Sequence, residues 1–115
     1  SVNRRKLGKV VFDDPRKLKI LNNLIHPLVA SEIEGMLRKI RGGICVVEAF
    51  SFEKKHLGRL IDKSIWVSRK PDPKKKKILN LQKKPEHVDF VIDNNCSKTE
   101  LKTKVEKLWR KIMSL

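Results

Sequence analysis

"HVDFVIDNNCSKTELKTKVEKLW", residues 87–109, reads as a buried strand, a polar turn and a capped amphipathic helix. "VDFVI", 88–92, is short, apolar and rich in β-branched residues, the pattern of a strand covered on both faces. Ser97 and Glu100 have the spacing of a capping box, so a helix should begin near 98. Leu101, Val105, Leu108, Trp109 and Ile112 then fall on one face of that helix, suited to docking on a sheet. A strand that feeds a helix in this way is one unit of a parallel α/β arrangement.

Working back from this unit, "SIWVS", 64–68, and "ICVVEAF", 44–50, read as two further strands, the latter entered from Gly42-Gly43. "SFEKKHLGRL", 51–60, reads as a short helix or a loop. "RKPDPKKKK", 69–77, carries two prolines and six basic residues, which excludes it from a core and makes it a solvated lead into a helix over about 74–84. The first 43 residues are different. Leu7, Val10 and Val11 share a helical face, and Asp14-Pro15 is a cap followed by a first-turn proline. Leu18, Leu21, Leu24 and Ile25 predict a helix over 15–26, which His26-Pro27 should end. Pro27 would open a third helix with Val29, Ile33, Met36, Leu37 and Ile40 as its stripe, stopped by "RGG" at 41–43. The expected organisation is a helical subdomain over 1–43 and part of a parallel α/β domain over 44–115.

A chain of 115 residues with 39% apolar composition can bury one core. Cys45 and Cys96 lie far apart without metal-like spacing and are expected to be free thiols in a reducing compartment, the cytoplasm or an organellar matrix. The unusual property is charge: +15, with a pI near 10.2. Such a balance suits polyanionic partners, although lysine-rich surfaces also serve solubility alone. No apolar run approaches the roughly 18 residues of a membrane-spanning helix. The chain opens on Ser1, so a processed, excised or partial chain is expected.

The chemistry-bearing patterns are few. Neither G-x-x-x-x-G-K-[ST], G-x-G-x-x-G nor G-x-S-x-G occurs, and His26, His56 and His87 have no metal-ligand spacing, so no metal site is expected. Glu48 ends an apolar run, where in an open α/β sheet it would face a ligand or Mg²⁺, or else simply pair with a helix or solvent. The basic stretch 69–77, with Arg69 best placed, would wrap a triphosphate or an RNA backbone, or form only a solvated face. His26, read as a helix C-terminus, would favour an imidazolium and an anion nearby, or be structural.

"NRRKLGKVVFDDPRKLKILNNLIHPLV", 3–29, resembles the dephospho-coenzyme A kinase family, in the order Arg4, Leu7, Val11-Phe12, Asp14-Pro15 and His26-Pro27. "ICVVEAFSFE" is similar to that family's acid-ending strand and the segment after it, with Glu48 and Glu53 at the matching places. The 87–109 stretch resembles its closing strand, turn and helix at Asp89, Ile92, Asp93 and Asn94. The resemblance runs over nearly the whole chain. It implies an α/β P-loop kinase fold, a three-layer parallel sheet with a helical coenzyme A-type subdomain, that moves the γ-phosphoryl group of ATP, with Mg²⁺, to the 3′-hydroxyl of dephospho-CoA.

By the same resemblance Arg4 and His26 would contact dephospho-CoA, with Glu48 beside them. Arg69, Lys74, Lys77 and Gln82 would belong to a nucleotide lid over 69–84, and Asp93 and Asn94 to the turn beside the adenine. The departures are as informative. The family's first strand, Walker A loop and general base have no counterpart in these residues, lysines stand where lid arginines are usual, and "AFSF" replaces an apolar Pro-Leu-Leu core. The implied sheet lacks the strand between 44–50 and 64–68, to be filled by a missing N-terminal segment, a partner chain or closure of the sheet. No catalytic residue is therefore assigned, and this chain alone is expected to be inactive. The alternative is a degenerate kinase domain used as a basic structural or RNA-binding part of a ribonucleoprotein.

Overall fold

The computed structural model describes residues 1–50, 52–70, 73–75 and 84–115. They form two compact units, Ser1–Leu60 and Ile61–Leu115. Helices dominate the first; among the described residues the second holds a two-stranded parallel sheet, one α-helix and a 3₁₀ turn, so the chain is α/β.

In the first unit, helix α1 spans Arg4–Val11 and helix α2 spans Pro15–Arg38. Each start is set by a side chain that satisfies otherwise orphaned amides. Asn3 Oδ1 accepts from the Lys6 amide at 3.1 Å, and Asp14 Oδ1 accepts from Arg16 at 3.1 Å and Lys17 at 3.3 Å. Pro15 occupies a first-turn position, where its missing N–H removes no helical bond. Both helices pack together, and the 3₁₀ turn Leu57–Leu60 packs against α2. Val11, Ala30 and Leu57 are the buried apolar residues of this unit among those described.

Two expectations are corrected here. α2 runs unbroken through Pro27, so there is one 24-residue helix in place of two. The reason is packing. Leu18, Leu21, His26, Ala30, Ile33 and Leu37 are shielded on one continuous face, and a break at Pro27 would turn half of it away. His26 consequently lies mid-helix, and the helix-end argument for its charge lapses. The expected strand 44–50 does not form either: residues 44–49 lie outside any ladder, with Ile44, Cys45 and Val46 exposed. β-branched residues make a strand only where a neighbour pairs with their backbone groups. α2 itself stops at Arg38, and Gly42 and Gly43 follow with φ of 74° and 84°, conformations that L side chains strain to adopt.

Pro27 leaves the Asn23 carbonyl without its helical donor, while its ring is exposed and contributes little packing. Pro27→Ala is therefore expected to raise stability by about 1–2 kcal/mol, below the roughly 3 kcal/mol difference in intrinsic propensity because proline also stiffens the unfolded chain. Urea titration checks this. An unchanged midpoint would mean the ring packs better than its exposure indicates.

In the second unit, strands β1 (Ile65–Ser68) and β2 (Phe90–Asp93) pair in parallel, from Ile65 opposite Phe90 to Ser68 opposite Asp93. Helix α3 spans Lys98–Met113 and packs on β2. Its start is the expected one: Ser97 Oγ accepts from the Glu100 amide at 3.2 Å and donates to Glu100 Oε1 at 3.3 Å. In-register residues of a parallel pair share a face, so Ile65, Val67, Phe90 and Ile92 lie on one side. Burial falls on Phe90 and Ile92, which α3 covers, while Ile65 and Val67 are exposed. The docked side of α3 is Leu101, Lys104, Leu108 and Ile112; Val105 and Trp109 fall on its flank, about half exposed.

β2 begins two residues later than the apolar run because Asp89 is otherwise engaged. Its Oδ2 accepts from the Ser64 amide at 2.8 Å and hydroxyl at 3.2 Å. The expected helix over 74–84 falls mostly outside the described residues; Pro73–Lys75 form a 3₁₀ turn.

Candidate functional site

Three polar side chains of the first unit converge on one place. His26, on the half-buried face of α2, has its Nδ1 3.0 Å from Glu53 Oε1. His56 places its Nε2 3.9 Å from the other carboxylate oxygen, and the two imidazoles meet edge to face with centroids 6.5 Å apart. This cluster rims a cleft of about 180 Å³ whose remaining walls are Val29, Ala49, Phe50 and Leu57. A cleft for a whole drug-sized ligand holds roughly 300–1,000 Å³, so this one admits only part of such a ligand.

The local backbone explains why Glu53 reaches α2. The amides of His56 and Gly58 both donate to the Glu53 carbonyl, at 3.0 and 2.8 Å, closing a tight turn. Gly58 is required there, since a Cβ on it would lie 2.8 Å from the carbonyl oxygens of both Phe52 and Glu53. Leu57, buried beside it, anchors the turn.

A second tie secures the same segment. Glu34 of α2 accepts from Arg59 Nη2 at 2.7 Å and from Arg38 Nη2 at 3.3 Å. The Arg59 hydrogen bond holds the Glu34 carboxyl below the ordinary glutamate range, and the same bond raises Arg59. A carboxyl depressed on folding contributes stability that is present above its unfolded value and disappears as pH falls through its folded one. The wild-type chain should thus lose stability below the ordinary glutamate range more steeply than Glu34→Gln, as thermal melts against pH would register. Parallel curves would mean that solvent screens this pair entirely.

The other sequence-predicted positions are more scattered. Arg4 is the first residue of α1, exposed and without an ion pair among the described residues. Glu48 is exposed in the extended segment before Ala49. In the second unit, Arg69 is exposed just past β1, and Lys74 is exposed in the 3₁₀ turn; Lys77 and Gln82 lie outside the described residues. Asp93 ends β2, and its Oδ1 accepts from the Asn95 amide at 2.9 Å and side-chain amide at 2.6 Å. The backbone bond from Asn95 is the main reason the Asp93 carboxyl lies below the ordinary aspartate range. Asn94 donates its amide to the Ser68 carbonyl at 2.7 Å, closing the carboxyl ends of both strands.

Sequence reasoning placed His26 in the site but did not select His56, Arg59 or Glu34. The Glu34–Arg38 spacing is a legible helical pair; nothing local connects Glu34 to Arg59. Glu53 was legible through the family resemblance alone.

The family model for dephospho-CoA kinase matches residues 1–80. The dephospho-CoA kinase of Lactobacillus acidophilus is 30% identical over 135 aligned positions, covering 97% of this chain and 66% of the relative. That of Clostridium tetani is 29% identical over 137 positions, covering all of this chain and 60% of the relative. The Lactobacillus johnsonii enzyme is 54% identical over 41 positions, 36% of this chain. The chain thus spans less than two thirds of the length of these curated relatives. No solved structure gives a significant match.

Proposed function

Because this chain belongs to the dephospho-CoA kinase family, we propose that it supplies the acceptor-binding and lid parts of an ATP-dependent dephospho-CoA kinase. The observation that carries this reading is the cleft at His26, a position that belongs to the family resemblance, with Glu53 beside it. In this reading the helical residues 1–43 hold dephospho-CoA. Arg4 answers its pyrophosphate charge, His26 makes a hydrogen bond to a donor group of the same ligand, and Glu48 lies at the ligand's edge. Arg69, Lys74, Lys77 and Gln82 serve the nucleotide from the 69–84 lid, and Asp93 and Asn94 form the turn beside the adenine. The two-stranded sheet is one part of a three-layer parallel fold.

Dephospho-CoA kinases transfer the γ-phosphoryl group of ATP to a ribose 3′-hydroxyl, a reaction that depends on positioning and charge stabilisation around Mg²⁺. The 115 residues contain no Walker A pattern. Among the described residues, no group of three His, Cys, Asp or Glu side chains could hold a metal ion. These residues therefore do not by themselves fit Mg²⁺-ATP. A polypeptide of residues 1–115 alone is expected to give no ATP-dependent turnover in a coupled assay; turnover above background would show that another set of groups cradles the phosphates. Binding of the acceptor is a separate matter. Titration calorimetry should detect saturable binding of dephospho-CoA, and a flat titration would overturn the assignment.

One observation favours a second reading, the net charge of +15. A kinase-derived basic protein bound to RNA would lose affinity steeply as salt rises, because phosphate contacts release counterions. Salt-insensitive RNA binding, or none, would eliminate it.

A further inference from the structure

We propose that Glu53 is a positioning residue for dephospho-CoA: it fixes the His26 tautomer so that Nε2 remains an unprotonated acceptor for a donor group of the substrate. This rests on the assignment of His26 to the acceptor site.

The argument starts from what a carboxylate can do. An ionised glutamate only accepts hydrogen bonds, so at 3.0 Å from Glu53 Oε1 the proton must sit on His26 Nδ1. In the neutral ring the remaining nitrogen, Nε2, is then bare. Free imidazole side chains favour the opposite tautomer, with the proton on Nε2, so the carboxylate reverses the intrinsic preference. His26 is held from one side only. Its side chain is 25% exposed, and among the described residues only Glu53 bonds to it.

The surroundings support the same role. His26 and Glu53 sit on elements tied independently, by the Glu34–Arg59 bond and by burial of Leu57, so the imidazole–carboxylate contact is not needed to hold the turn in place. The Glu53 carbonyl, not its side chain, closes the turn. Among the described charged or titratable groups, His56 lies 3.9 Å from Glu53 Oε2 on the same segment, Lys54 and Lys55 follow Glu53 along the chain, and Glu34, Arg38 and Arg59 are engaged with one another. None of them competes for His26 Nδ1. The walls Val29, Ala49, Phe50 and Leu57 are apolar, and His26 Nε2 then stands at the rim as an acceptor, beside the Glu53 carboxylate and the His56 ring. A hydroxyl or amide N–H of the substrate satisfies that acceptor; a phosphate oxygen does not. Dephospho-CoA offers both kinds of donor, on its ribose and along its pantetheine arm.

The test is ¹⁵N NMR of the imidazoles in the 115-residue chain at about pH 8, above the ordinary histidine range, joined to calorimetry with dephospho-CoA. His26 should show a protonated Nδ1 and a bare Nε2 in the wild-type chain and in Glu53→Gln, whose amide oxygen still accepts. In Glu53→Ala the pattern should move toward the Nε2–H form, and affinity for dephospho-CoA should fall by up to about tenfold, the worth of one neutral hydrogen bond between His26 Nε2 and the substrate. Glu53→Gln should recover most of that affinity. A protonated Nε2 in the wild-type chain overturns the inference, as does unchanged affinity in Glu53→Ala. Should the wild-type chain show the expected nitrogen pattern yet bind no dephospho-CoA, the acceptor-site assignment falls and the role given to Glu53 falls with it.

Discussion

Gly58→Ala is expected to destabilise the first unit by about 2–4 kcal/mol and to abolish dephospho-CoA binding. The new methyl would stand 2.8 Å from the carbonyl oxygens of Phe52 and Glu53, and both are backbone atoms of a turn closed by hydrogen bonds. Neither can step aside as a flexible side chain could. Relief requires opening the turn, which withdraws Glu53 from His26 and pulls Leu57 from its buried place. Gly35→Ala is the control. It adds the same atom in the interior of α2 with nothing within 4 Å, and should stabilise by roughly 0.5–1 kcal/mol through helix propensity alone. Denaturant melts of both variants, with calorimetry on each, decide the matter. If the two shift stability in the same direction, the turn is looser than its geometry requires.

In the second unit, Ile92→Ala should cost about 2–4 kcal/mol. Ile92 is 8% exposed and is the only buried residue among those described in that unit. It sits where α3 covers β2, on the face it shares with exposed Val67. Truncation removes several buried methylene equivalents where few other apolar contacts compensate. Val67→Ala, one ladder position across, is the comparison: Val67 is 54% exposed, so its loss should change stability by less than about 1 kcal/mol. Near-equal effects would show that α3 leans over both strands.

The contrast between these residues also marks the limit of a reading from sequence. Short apolar runs rich in β-branched residues identified β1 and β2 as strands, yet such runs did not distinguish Ile92 from Val67, since both are β-branched residues on one face. Which is covered depends on where α3 lies. Likewise Ser64 and Asp89 were legible as members of the strand runs 64–68 and 88–92, and only the folded chain makes them partners at the start of the sheet. The resemblance to a kinase family was legible because its residues keep their order along the chain, and the family match over residues 1–80 agrees with it. The site was half legible. His26 stood out by its place before Pro27, and the structure then moved it from a helix end to mid-helix.

Asn3 and Asp14 start α1 and α2, Ser97 starts α3, and Gly42-Gly43 turns the chain, all through contacts within a few residues; these the amino-acid order determined by itself. Folding in three dimensions decided that α2 passes through Pro27, that residues 44–49 remain without a ladder, and that Glu53 meets His26. Each of those outcomes weighs a local preference against packing or pairing contributed from far along the chain, and the Glu53–His26 contact closes a gap of 27 positions. A preference worth a few kcal/mol yields when a continuous shielded face is at stake, and a strand-forming run yields when no neighbouring backbone is there to pair with it.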